Sequence, residues 1–198
     1  MVKTSFPHLL LEEKKPVKII VVGDSGVGKT AIISKFLYKD VNKNESATIG
    51  NVHVKTILEK GNNKLDVAIW DTAGQEKYSS MVDIFFRGAK GCVIVYDITS
   101  FQSFVDTTSW YTSIFDITHT SIPIVLVGNK KDLSSQREVA YESAENLAVK
   151  WGALYLEVSA IEGTNIDTIF KSFVDKIEPE YEPENVFQSQ STKQRKCC

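Results

Sequence analysis

One eight-residue stretch, Gly23-Asp24-Ser25-Gly26-Val27-Gly28-Lys29-Thr30, constrains this chain more than any other. It reads G-x-x-x-x-G-K-[ST] and follows directly on the apolar run Val17-Lys18-Ile19-Ile20-Val21-Val22. A periodic stretch over 31–37 comes next, so the spacing predicts strand, glycine-rich loop and helix in succession. In that setting the glycines let backbone N–H groups turn inward around an anion, and the helix N-terminus adds the positive end of its dipole. Ser25, Gly26, Val27, Gly28, Lys29, Thr30 and Ala31 are therefore the candidate phosphate-binding residues. Lys29 would bring a full charge to the β- and γ-phosphates, and Thr30 a hydroxyl to Mg²⁺. Taken alone, the stretch is also compatible with a plain turn that joins a strand to a helix.

The rest of the composition limits what such a loop can serve. A chain of 198 residues fits one domain with a substantial core. Its 42% hydrophobic and 24% charged residues are those of an ordinary globular protein. A net charge of −2 argues against nucleic-acid binding, which requires a strongly basic face. The longest apolar runs, over 91–96 and 122–127, are too short to span a bilayer. Leu9-Leu10-Leu11 passes at once into Glu12-Glu13-Lys14-Lys15, so no cleavable signal is read and a cytosolic location is expected. Of the three cysteines, Cys92 sits inside an apolar strand run as a small buried hydrophobe, while Cys197 and Cys198 end the chain. No disulfide framework is indicated.

In chain order, residues 1–15 form an N-terminal extension whose leucine cluster is left unassigned. A strand over 17–22 and a helix over 29–38 flank the glycine loop. The polar stretch 40–50 reads as a loop ending in Thr48-Ile49-Gly50. Val52, Val54, Thr56 and Leu58 then alternate with polar residues as a half-exposed strand. Gly61-Asn62-Asn63 turns that strand back through Leu65, Val67, Ile69 and Trp70, giving an antiparallel pair at a sheet edge. Further strands over 91–97, 122–127 and 153–158 alternate with helices over 101–115, 138–151 and 165–177. Trp110 and Tyr111 read as core or surface-packing aromatics. This alternation indicates an α/β fold, a doubly wound sheet with right-handed crossovers and helices on both faces. From 179 onward the composition is that of a disordered tail, closing on Lys193-Gln194-Arg195-Lys196-Cys197-Cys198.

Two further motifs stand at strand ends, where ligands of open α/β sheets bind. In Asp71-Thr72-Ala73-Gly74-Gln75-Glu76 the aspartate suits Mg²⁺, directly or through water. Gly74 admits a backbone N–H to a phosphate, and Gln75 can orient a water for in-line attack. In Asn129-Lys130-Lys131-Asp132 the carboxylate of Asp132 can accept from the ring N–H and exocyclic amine of guanine. Adenine presents an acceptor at that place and would be repelled. Asn129 can tie the loop together and reach the base edge, and Ala160, after Ser159, can offer a backbone N–H to the guanine oxygen.

With these residues in hand the chain resembles the Ras superfamily of small GTPases, and within it the Rab family, over about residues 16–178. The family's phosphate loop matches residues 23–30, its first-switch threonine matches Thr48, and W-D-T-A-G-Q-E matches residues 70–76. N-K-x-D matches residues 129–132, and S-A-x matches Ser159, Ala160 and Ile161. Thr48-Ile49-Gly50, Phe85-Phe86-Arg87-Gly88-Ala89, Tyr96-Asp97-Ile98-Thr99-Ser100 and the terminal Cys-Cys carry the Rab character. The resemblance implies a P-loop NTPase small-GTPase domain over 16–178, with a six-stranded, mostly parallel sheet and one antiparallel edge strand. A hypervariable tail over 179–198 would end in a lipidation site.

The resemblance also implies GTP/GDP and Mg²⁺ as ligands, with Thr30, Thr48 and Asp71 at the metal and Lys29, Thr48 and Gln75 as catalytic residues. Asn129, Lys130, Asp132, Ser159, Ala160 and Ile161 would form the base site. Cys197 and Cys198 resemble a double geranylgeranylation site, where two chains give stable anchoring and one gives marginal binding. Ile49, His53, Trp70 and Phe85 would form the partner surface. An exchange factor, a GTPase-activating protein, a GDP-dissociation inhibitor and effectors would meet a monomer on the cytosolic face of an intracellular membrane.

Three positions depart from the family pattern. Val41 replaces the aromatic residue that stacks on guanine, a loss of about 1–3 kcal/mol by analogy with base stacking elsewhere. His53 replaces a phenylalanine of the partner surface, and Ile161 replaces the lysine of S-A-K. An ATPase or metabolic kinase, and a guanine-nucleotide-binding scaffold with little hydrolysis, are the competing readings. Asp132 speaks against the first, and Gln75, Thr48 and Asp71 against the second.

Overall fold

Alternate residues of the run Val17–Val22 point into two different cores, and the architecture follows from that. Val17, Ile19 and Val21 belong to one buried cluster with Ile32, Ile33, Ile166, Ile169 and Phe170. Ile20 and Val22 belong to another with Trp110, Ile114, Ala144 and Ala148. A strand apolar on both sides must have helices on both sides. The computed structural model describes residues 14–38, 52–72, 85–119, 121–178 and 180–181.

Within them the elements run β1 (Lys14–Lys15), β2 (Val17–Val22), α1 (Lys29–Tyr38), β3 (Val52–Lys60), β4 (Asn63–Asp71) and β5 (Gly91–Asp97). There follow α2 (Phe101–Thr118), β6 (Ile124–Asn129), α3 (Tyr141–Trp151), β7 (Leu154–Glu157), α4 (Ile166–Lys171) and β8 (Glu180–Tyr181). The six-stranded sheet has the order β3-β4-β2-β5-β6-β7. Only β3 is antiparallel, pairing with β4 at the edge, as the hairpin turn at Gly61 predicts. The small β1–β8 pair is also antiparallel.

Several element ends differ from expectation, each for a local reason. Helix α2 runs three residues beyond 115, until His119 adopts a left-handed backbone at φ 51 and returns its N–H to Phe115 O. Helix α3 starts at Tyr141 and not at Glu138. The amides of Glu138 and Val139 both donate to Ile98 O, and Glu138 Oε2 accepts from Phe101 N at the start of α2. The last helix is α-helical only to Lys171 and then tightens, with Phe173 N to Phe170 O and Lys176 N to Phe173 O bonds. Cys92 is buried in β5, as its place in the run implies, and burial pushes its thiol pKa well up.

The register sets the site. Val21 lies opposite Asp71, Val22 opposite Ile94, and Asp97 opposite Asn129. The glycine loop, Asp71, Asp97 and the loop after Asn129 thus leave the sheet side by side at its C-terminal edge.

Candidate functional site: a glycine-lined anion loop beside an Asn-Lys-Lys-Asp loop

The loop between β2 and α1 is built on glycines in conformations that other residues avoid. Gly23, Gly26 and Gly28 have φ of 140, 78 and 98. A Cβ on Gly23 would lie 2.1 Å from Val95 O, and one on Gly28 would lie 2.2 Å from Asn129 Nδ2. The loop therefore needs glycine at both positions for space as well as for backbone angle. Ser25 and Gly26 are exposed at its crest, Val27 is buried beneath, and Ala31 is half-buried in the first turn of α1. The buried Lys29 ammonium donates to Gly23 O at 2.8 Å and Asp24 O at 2.9 Å, so it sits inside the loop.

From the next strand, Asp71 brings its buried carboxylate to Thr30, whose hydroxyl donates to Oδ2 at 2.6 Å. Thr72 donates its hydroxyl to Val21 O at 3.0 Å and secures the end of β4 against β2. A hydroxyl and a carboxylate side by side are hard oxygen donors of the kind Mg²⁺ takes, with its remaining positions filled by phosphate and water. No group of three or more His, Cys, Asp or Glu among the described residues could hold a metal alone. The residues present fit a cation shared with a bound phosphate ester.

On the other side of the loop stands Asn129, 2% exposed. Its Nδ2 donates to Val27 O at 2.9 Å, and its Oδ1 accepts from Ala160 N at 3.2 Å. One side chain thus joins the glycine loop, the β6 end and the segment after β7. The Ala160 N–H, expected at the guanine oxygen, is turned to Asn129 here. Lys130 is left-handed at φ 68, and its ammonium meets Asp97 Oδ2 at 2.5 Å. Asp132 Oδ1 accepts from Ser159 Oγ at 2.6 Å, and Ser159 Oγ in turn accepts from Glu162 N at 3.1 Å. A carboxylate has lone pairs enough to take that bond and still accept from a ligand edge. Ile161 is 54% exposed, consistent with a position where the backbone matters more than the side chain.

A residue-family model of the Ras family matches residues 18–179. The Ras-related protein RABA2b of Arabidopsis thaliana is 39% identical over 81% of this chain and 75% of its own. The Ras-related protein RabC of Dictyostelium discoideum is 36% identical over 95% of this chain and 100% of its own. Human Ras-related protein Rab-25 is 36% identical over 81% and 75%. The chain belongs to the Rab family of small GTPases.

On this Rab-family protein the structure also brings His53 and Trp70 together. They are cross-strand neighbours with ring centroids 4.9 Å apart and planes at 19°. Lys18 places its ammonium 4.1 Å from the Trp70 ring and donates to Arg87 O, and burial lowers its pKa. Phe85 is half-buried against the same core. Val41, Thr48, Ile49, Gly74, Gln75, Cys197 and Cys198 lie outside the described residues, so their assignments rest on the sequence. Two features escaped the sequence reading. Trp110 donates its indole N–H to Asp24 Oδ1 at 2.9 Å. Arg137 clasps Glu157 with two bonds of 2.6 and 2.8 Å just below the Asn129 loop. Neither pair has a spacing or motif that would have disclosed it. Among the described residues no helix is long and apolar enough to cross a membrane.

Proposed function

We propose that this protein binds GTP and GDP with Mg²⁺, hydrolyses GTP slowly, and serves as a membrane-attached switch in vesicle traffic. The observation that carries this reading is the bridge made by Asn129 between Val27 O and Ala160 N. It couples a loop shaped for phosphate to two segments suited to guanine, the pairing a guanine-nucleotide switch needs.

In this reading Lys29 and the amides of residues 25–31 hold the phosphates. Thr30 and Thr48 would hold the metal, with Asp71 behind Thr30, and Gly74 would reach the γ-phosphate. Bound Mg²⁺ would supply neutralisation of phosphate charge. Asp132 accepts from the guanine N–H groups while Ser159 orients it. Ala160 N–H, which donates to Asn129 Oδ1, would also serve the base oxygen. Gln75 orients the attacking water. Catalysis is then positioning plus electrostatics, with no covalent intermediate, and a GTPase-activating protein would raise the rate roughly 10³–10⁵-fold by adding an arginine. Loss of the γ-phosphate would release the segments around 40–50 and 74–87 and change what the His53–Trp70–Phe85 surface offers effectors. Geranylgeranyl groups on Cys197 and Cys198 would hold the protein at the cytosolic face, and a GDP-dissociation inhibitor would remove it.

The test is the dissociation rate of GDP and GTP from purified protein, with and without EDTA. Slow release that EDTA accelerates, with ATP failing to compete, is the expected result. Competition by ATP equal to that by GTP would overturn the reading.

A further inference from the structure

We infer that Trp110 is a positioning residue for the phosphate loop, acting through Asp24. This inference rests on the nucleotide-binding reading above. Trp110 lies on α2, 86 residues from the loop, and is 1% exposed, yet its indole N–H leaves the apolar core to donate to Asp24 Oδ1 at 2.9 Å. A buried tryptophan needs a partner for that N–H, and here the partner is a loop carboxylate. The same residue's carbonyl receives the Lys29 ammonium at 2.9 Å. Asp24 is therefore held from two directions, by α2 through its side chain and by Lys29 through its backbone.

The electrostatic consequence concerns the anion the loop would hold. Asp24 is an acidic residue within a loop suited to phosphate, and a carboxylate that swung inward would repel the phosphates and compete for Lys29. The indole draws Oδ1 toward α2 and offsets part of the charge, so Lys29 meets the phosphates with the carboxylate turned aside. Trp110 also packs against Phe86, ring centroids 6.5 Å apart, in the stretch that follows the Asp71-Thr72-Ala73-Gly74-Gln75 motif. The tether thus joins the loop to the core face on which that stretch ends.

Removing the N–H while keeping the ring isolates the effect. GDP dissociation is measured for the full chain as wild type, Trp110→Phe, Asp24→Ala and the double variant, each checked by circular dichroism. A hydrogen bond to a charged acceptor implies about a tenfold faster release in Trp110→Phe. In the Asp24→Ala background the same change should alter the rate less than about twofold, because the acceptor is gone. Equal acceleration in both backgrounds would mean that Trp110 acts by packing alone and would overturn the inference. So would a Trp110→Phe rate within about twofold of wild type. If wild-type protein binds no guanine nucleotide, the nucleotide reading itself fails, an outcome distinct from loss of coupling between two variants that bind.

Discussion

The hydroxyl of Thr30 and the carboxylate of Asp71, 41 positions apart, meet at 2.6 Å at the mouth of the glycine loop. Adjacent parallel strands β2 and β4 deliver them there, since Val21 and Asp71 are register partners. A hydroxyl that donates to a carboxylate keeps its lone pairs directed outward, where a cation can use them.

Thr30→Asn should therefore favour the GDP-bound or empty protein, and its nucleotide release should no longer respond to EDTA. Dissociation measured with and without chelator checks this. An unchanged EDTA response would remove Thr30 from the metal site.

Gly28→Ala should destroy the loop. Its φ of 98 and a Cβ 2.2 Å from Asn129 Nδ2 would force Asn129 off Val27 O. A strained left-handed residue combined with a buried unsatisfied amide costs about 2–4 kcal/mol. Thermal unfolding and GDP binding should both drop, and a wild-type melting curve would contradict the geometry.

Asp132→Asn should relax selectivity for guanine, because an amide presents a donor where the carboxylate accepts. Competition by a panel of purine nucleotides measures it. Ser159→Ala, which removes the 2.6 Å bond to Asp132, should weaken guanine binding without altering which base is preferred.

Gln75→Leu should trap the GTP form, since the side chain loses the groups that orient water. Single-turnover hydrolysis at a normal rate would end that assignment.

Glu157 sits buried between Arg137 and Tyr155. Burial works to raise its pKa, but the hydrogen bonds from Arg137 and Tyr155 outweigh it and hold the carboxyl below its usual 4.5. A depressed folded pKa contributes stability above the unfolded value, and that stability is lost as pH falls through the folded one. Unfolding titrations should show a loss that sets in below about pH 4.5 and is smaller in Glu157→Gln, where the Glu157 contribution is gone. At neutral pH, Arg137→Ala should cost about 2–4 kcal/mol by leaving that charge unpaired, less than the full buried-pair figure because Arg137 is partly solvated.

The motifs of the site were legible because they are contiguous and their chemistry is local. Gly23, Gly26 and Gly28 are required by backbone angles within one turn of chain. The apolar run Val17–Val22 announced a strand, and Gly61 announced the hairpin, whereas the two-sided burial and central place of that strand came from the fold. Element ends were less legible, as at Glu138, where a side chain with good helix propensity was diverted to cap α2 instead.

What the sequence determined by itself was therefore the alternation of strands and helices, the glycine loop and the residue types at each strand end. The tertiary structure decided which of those residues meet. Asn129 reaches Val27 across 102 positions and Trp110 reaches Asp24 across 86 because the strand order places β2 beside β5 and β5 beside β6, with α2 packed on that face. No local propensity encodes such encounters, since a side-chain hydrogen bond forms only after the hydrophobic faces of distant elements have set their register.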